Sequence, residues 1–146
     1  MQTKYSIDRD TRTLILKYIR KYDEYKRWYK AEKERAYQLR PPVYGEAIQT
    51  SAPADPVLAA AEALERLENS HRARVVQAIE SARKRIGGTY EDAEARRRLV
   101  NAIWLSCLDG WRYNYQAFDG IVPCSHREFY YEKNRFLFAI KRDLDI

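Results

Sequence analysis

The chain has 146 residues, of which 45% are apolar or aromatic and 33% charged, with only 5 Gly and 5 Pro and a formal charge of +6. That composition fits one helix-rich domain, or a compact domain with a helical arm, and supplies enough apolar material for a buried core. It excludes a disulfide scaffold, and no 18-residue apolar run or signal-peptide core is present, so neither secretion nor a membrane partner is expected.

Residues 11–39 carry a continuous helical pattern. Ile15, Tyr18, Tyr22, Tyr25 and Tyr29 recur every three or four residues, with Leu14 and Ile19 widening the stripe. Tyrosine rings bury while their hydroxyls stay wet, so this heptad-like seam is expected to pack against another helix. The charge is concentrated here: residues 12–40 hold ten Lys/Arg against four Asp/Glu, and the remaining residues balance. Lys17, Arg20, Lys21, Arg27, Lys30 and Lys33 therefore form a candidate basic arm, which raises the local concentration of a polyanion or simply stays solvated.

Arg40-Pro41-Pro42 ends this pattern, because the residue before a proline is driven out of the helical region. Residues 41–55 read as the linker. Asp55-Pro56 restarts a helix with an acidic N-cap and proline at the first helical position. An Ala/Glu/Leu-rich stretch follows, with an expected offset near Asn69-Ser70, and Gly87-Gly88 closes it as a C-cap pair.

Thr89 followed by Asp92 opens the next helix, whose stripe of Leu99, Val100, Ile103, Trp104, Cys107 and Leu108 is the most apolar in the chain. Arg96, Arg97 and Arg98 point about 100° apart and are read as solvated or ion-paired. Asp109-Gly110 ends that helix. Trp111–Phe118 is expected as a short helix with Trp111, Tyr115 and Phe118 on one side.

The terminal helix is the most clearly written. Ser125 is a strong N-cap residue, Glu128 occupies the capping-box position, and Cys124 and Phe129 hold the staple positions. Phe129, Lys133, Phe136, Leu137 and Ile140 share one face, with Leu144 extending it and the Lys133 ammonium expected to reach water. His126, Arg127, Tyr130, Tyr131, Asn134 and Arg135 lie on or beside the opposite face. Arg pairs bidentately with guanine, Asn with adenine, and Tyr hydroxyls and helix N-termini meet phosphate, so these six are the candidate DNA-binding residues.

The stretch Ile121-Val122-Pro123-Cys124-Ser125-His126-Arg127-Glu128-Phe129-Tyr130-Tyr131-Glu132-Lys133-Asn134-Arg135-Phe136, followed by Ile140, Lys141, Arg142 and Leu144, resembles the C-terminus of phage-encoded transcriptional activators of the RinA/ArpU type. A Tyr/Lys-rich first helix, a linker and the start at Asp55-Pro56 are also similar to that family. The turn from Asp119 to Cys124 is longer than the three or four residues usual in a helix-turn-helix. The resemblance implies a helix-turn-helix like region 4 of sigma factors at about residues 111–144, duplex DNA and RNA polymerase as partners, and the cytoplasm of a bacterial host.

The expected fold is thus all-α, a helical bundle with a long N-terminal helix (1–40), a linker (41–55) and a helical domain (56–146) ending in the helix-turn-helix. The expected function is a DNA-binding transcriptional regulator of phage or prophage origin, its tyrosine-seamed helix pairing either with the central helices or with a second subunit of a homo-oligomer that places two reading helices on one site. The alternative is a phage packaging or assembly protein that uses Tyr130, Tyr131 and Phe138 as a protein interface. No nucleophile elbow, P-loop or zinc-ligand spacing occurs, so no enzyme, cofactor or metal is expected.

Overall fold

Four helix starts in this chain depend on a short polar side chain, Asp8, Ser70, Asp92 or Ser125, that takes over a backbone N–H with no partner inside the helix. The computed structural model describes residues 4–38 and 56–146, and the described residues form six α-helices, one 3-10 turn and no strand. The helices are α1 (Arg9–Arg20), α2 (Tyr22–Tyr37), α3 (Pro56–Glu68), α4 (His71–Lys84), α5 (Ala93–Leu108) and α6 (His126–Leu144), with the 3-10 turn at Tyr115–Phe118. The protein is therefore all-helical among its described residues, and none of these helices is long and apolar enough to cross a membrane. The expected linker and the Asp55 cap lie outside the described residues.

α1 begins at Asp8, whose carboxylate accepts from the Thr11 N–H at 3.1 Å and from its hydroxyl at 2.6 Å. Those two bonds hold the Asp8 carboxyl below its ordinary pKa. The single long helix expected over 11–39 is instead two helices. Lys21, with φ −92° and ψ 0°, leaves the helical region, and its N–H is shared between the carbonyls of Lys17 and Tyr18 at 3.1 Å each. This tightening ends a helix without glycine or proline, so side-chain periodicity gives no sign of it.

The offset expected near Asn69-Ser70 is present. The Ser70 hydroxyl donates to the Leu67 carbonyl at 2.6 Å and accepts from the Ala73 N–H at 3.4 Å, closing α3 and opening α4. α4 gives way to a turn through Gly87, where φ is +66° and an added Cβ would lie 3.1 Å from the Tyr90 ring. Only glycine meets both demands. Arg96 reaches back to secure this end, its Nε donating to the Ile86 carbonyl at 3.0 Å and a terminal nitrogen to the Lys84 carbonyl. α5 starts three residues later than the Thr89 signal suggests, because Asp92 is the side chain that accepts an N–H, that of Glu94 at 3.1 Å.

The chain divides into two units. The first joins the N-terminal segment through Tyr22 to Gln77–Ile146, and in it α1, α5 and α6 pack on one another. Its core holds Ile15 and Ile19 from α1, Leu99, Ile103 and Cys107 from α5, and Phe129, Phe136, Leu137 and Ile140 from α6. Each such side chain, fully buried, stabilises the fold by roughly 1.5–3 kcal/mol before entropy is counted. Trp104 meets the edges of Tyr22 and Phe136 at centroid distances of 5.3 and 6.4 Å, with the Arg83 guanidinium 4.4 Å from its ring centre.

Lys133 departs from expectation. It is 8% exposed, and its ammonium donates to the Ser106 hydroxyl at 2.9 Å and carbonyl at 3.4 Å instead of reaching water. Its position on the inner row, flanked by Phe129 and Phe136, leaves the amine closer to α5 than to solvent. Burial lowers its pKa, and burial pushes the neighbouring Cys107 thiol up to about 11.

The second unit, Asp23–Val76, buries Ala36, Ala60, Leu67, Ala73, Val75 and Val76. Here the tyrosine seam meets other helices: the Tyr29 hydroxyl bonds the Glu68 carboxylate on α3, and Arg72 of α4 lies over Tyr25 and Trp28 at 5.5 and 5.2 Å. The three rings are half-buried, and the Tyr29 hydroxyl finds its partner at the helix margin, as an amphipathic tyrosine favours.

Candidate nucleic-acid interface

α6 starts as its sequence dictates. The Ser125 hydroxyl accepts from the Glu128 N–H at 3.2 Å, and Phe129 is fully buried one turn in. The connection preceding it is fastened to the helix by aromatic groups. The Tyr115 hydroxyl donates to the Cys124 carbonyl at 3.0 Å, and the Tyr115 N–H donates to the Tyr130 hydroxyl at 3.2 Å. Tyr115 and Phe118 pack on Phe129 at 5.7 and 6.1 Å, and His126 sits 5.1 Å from the Tyr115 ring and 4.9 Å from that of Tyr130.

The short helix expected over Trp111–Phe118 is confined to the 3-10 turn at Tyr115–Phe118. Asp109 explains the shortening. Its carboxylate takes the N–H groups of Trp111 and Arg112 at 3.2 and 3.1 Å, a side-chain turn that competes with helix formation. Trp111, expected on one side of that helix with Tyr115 and Phe118, lies outside the 3-10 turn and is 92% exposed.

The six residues on and beside the outer side of α6 have different surroundings. His126 and Arg127 are exposed in the first turn. Tyr130 is half-buried and bonded to Tyr115. Tyr131 is 50% exposed, meets the Tyr5 ring edge-on at 5.5 Å, and shares a hydroxyl–hydroxyl bond with Tyr5 that raises its pKa. The Asn134 carbonyl oxygen accepts from Arg12 Nη1 at 2.9 Å. Arg135 pairs with Glu132 one turn earlier at 3.4 Å. The structure thus gathers all six along one helix, and of these His126, although against two rings, and Arg127 are exposed with no side-chain hydrogen bond or ion pair to another described residue.

The basic arm is spread over both units. Lys17 and Arg20 are exposed on α1, and Arg20 Nε reaches the Leu108 carbonyl at 3.5 Å, at the C-terminal end of α5. Lys21 is half-buried at the helix break. Arg27 and Lys30 are exposed on α2, and the Lys33 ammonium rests 4.9 Å from the Tyr29 ring centre. Residues that sequence periodicity did not single out complete the surroundings of α6: Tyr5, Arg12 and Ser106. Each reaches α6 from a distant or irregular segment, so helical spacing carries no trace of the contact.

No protein-family model, no curated protein and no solved structure matches this chain.

Proposed function

We propose that this chain is a small DNA-binding regulator of the phage-activator kind, in which the first turn of α6 meets duplex DNA. The observation that carries this reading is the Ser125-capped helix start with His126 and Arg127 both exposed beside it. A capped N-terminus favours phosphate, and the first turns of a reading helix are those that enter the major groove. Arg127 is the side chain for a base edge or an adjacent phosphate, and His126 is held by two aromatic rings for a backbone contact. Asn134, Tyr130 and Arg135 have partners inside the protein, which narrows the reading from the whole outer face to its N-terminal end.

In this reading the helix-turn-helix at about residues 111–144 has the 3-10 turn as its short first element and α6 as its second. Lys17, Arg20, Lys21, Arg27, Lys30 and Lys33 supply sequence-independent attraction. Contact with RNA polymerase, a second subunit on the same site and the bacterial cytoplasm follow from the same proposal. An anisotropy titration against duplexes from the gene's own neighbourhood, at two salt concentrations, tests it. Preference for one duplex, reduced by Arg127→Ala, is expected; no duplex binding at low salt removes the reading.

One observation favours a second reading, an assembly component of a phage particle. Trp111 is 92% and Ile121 53% exposed, both on the connection that precedes α6. Exposed large apolar groups of this kind mark protein interfaces. A defined higher oligomer by light scattering, lost in Trp111→Ala, is its signature.

A further inference from the structure

Away from the first turn of α6, a cleft of about 180 Å³ opens between its later turns and the end of α4. Three arginines line it, Arg85, Arg135 and Arg142, together with the apolar residues Ile86, Phe136 and Phe138. Arg135 and Arg142 are seven residues apart, hence on one face of α6 two turns from each other. Arg85 comes from the turn after α4, where Arg96 grips the Lys84 and Ile86 carbonyls on either side of it. Tyr5 closes another side, its ring edge-on to Phe138 at 5.4 Å.

The charges in this cleft are unevenly matched. Glu132 is the one carboxylate among the lining residues and meets Arg135 at 3.4 Å. Arg142 has an exposed contact with Asp143 at 3.5 Å, and Arg85 has no ion pair or side-chain hydrogen bond with another described residue. Each guanidinium has five N–H donors, so most of the donors around the cleft are unused. The lining carries a formal excess of two positive charges in a partly enclosed, partly apolar space. The volume is below the roughly 300–1,000 Å³ of pockets that enclose whole drug-sized ligands, so a single small group enters.

We propose that this cleft binds a terminal phosphate, a tetrahedral dianion, between Arg85, Arg135 and Arg142. Two negative charges balance the excess, and phosphate oxygens match the forked donors of arginine. The rest of the ligand stays outside, over Tyr5 and Phe138. The phosphate's carrier is either a free nucleotide or the 5′ end of a nucleic-acid strand. The proposal does not rest on duplex reading by the first turn of α6, and it stands if that reading fails.

The test is an NMR titration of the full chain with sodium phosphate against sodium chloride at equal ionic strength, following the arginine Nε–H signals. Saturable shifts at Arg85, Arg135 and Arg142 with phosphate alone are expected. Arg85→Gln should weaken binding by about tenfold, the loss of one charge-assisted contact. Arg98→Gln, a change at an exposed residue paired with Glu94 on α5, should leave binding unchanged. Arg142→Gln provides the same readout as Arg85→Gln should that variant melt early. Linear, unsaturated shifts, or equal affinity in wild type and both cleft variants, would overturn the proposal. AMP binding more tightly than inorganic phosphate identifies a nucleotide as carrier. Displacement of phosphate by a 5′-phosphorylated duplex, but not by its 5′-hydroxyl counterpart, identifies a strand end. Equal displacement by both duplexes means that internal phosphodiesters bind, and the terminal-phosphate proposal fails.

Discussion

Arg12 Nη1 donates to the Asn134 side-chain carbonyl at 2.9 Å, tying α1 to α6 across 122 positions of sequence. The bond is part-buried and charge-assisted, and it occupies the acceptor that Asn134 would turn to adenine. Asn134→Ala should therefore lower stability by about 1–2 kcal/mol, a fall of several degrees in thermal midpoint. Its effect on duplex affinity should be smaller than that of Arg127→Ala. Thermal melts and anisotropy on the same two variants check both statements.

The cap at Ser125 gives a second expectation. Ser125→Ala removes the acceptor for the Glu128 N–H and should cost about 1 kcal/mol, while Ser125→Asp, which can cap the same N–H, should retain most of the stability. Urea unfolding of the two variants separates cap chemistry from side-chain volume.

High pH distinguishes the two buried groups where α5 meets α6. The native state holds the Cys107 proton more tightly than the unfolded chain does, since burial raises its pKa from 9.0 to about 11. Its contribution to stability is therefore lost as pH rises through that window. Lys133 has the opposite sign: burial lowers its pKa from 10.5, so the unfolded chain binds that proton more tightly and stability rises with pH up to that value. Cys107→Ala removes the first effect and, with it, the upward pull of the thiolate on the Lys133 pKa, which acts in the same direction. Between about pH 9 and 11 it should lose roughly 2 kcal/mol less than wild type. Urea midpoints of both proteins at the two pH values supply the comparison, whatever the cavity costs at neutral pH.

Salt dependence separates the basic arm from the helix start. Substituting Arg27 and Lys30 together should weaken binding to every duplex and flatten the dependence of log affinity on log salt by about two phosphate contacts. Arg127→Ala should instead reduce the preference between duplexes, by about 1–3 kcal/mol if it meets a base edge. Equal behaviour of the two variants would show that α6 adds no selectivity.

The fate of these residues shows which parts of the molecule local sequence encodes. Ser125 at the start of α6, Gly87 at φ +66° and the buried row from Phe129 to Ile140 were all legible, because caps, positive φ and helical period depend on a few neighbouring residues. The break at Lys21 was not, since the residue is an ordinary helix former and the interruption is a backbone event. Trp111 was misplaced because the Asp109 side chain competes with helix formation over the next three residues. Lys133 was sent to water by its stem and charge, and only the Ser106 hydroxyl and carbonyl on α5 account for its burial.

The sequence by itself determined the all-helical character of the described residues, the start of α6 and which of its faces is apolar. Periodicity and capping act within a turn or two, and each is written in adjacent residues. Tertiary structure alone decided which polar groups of α6 are committed inside the protein and which are left for a partner. Arg12 reaches Asn134, Tyr115 reaches Tyr130, Tyr5 reaches Tyr131, and Arg85 joins Arg135 and Arg142 at one cleft. Those pairings depend on where the chain returns in space, and no helical spacing records them.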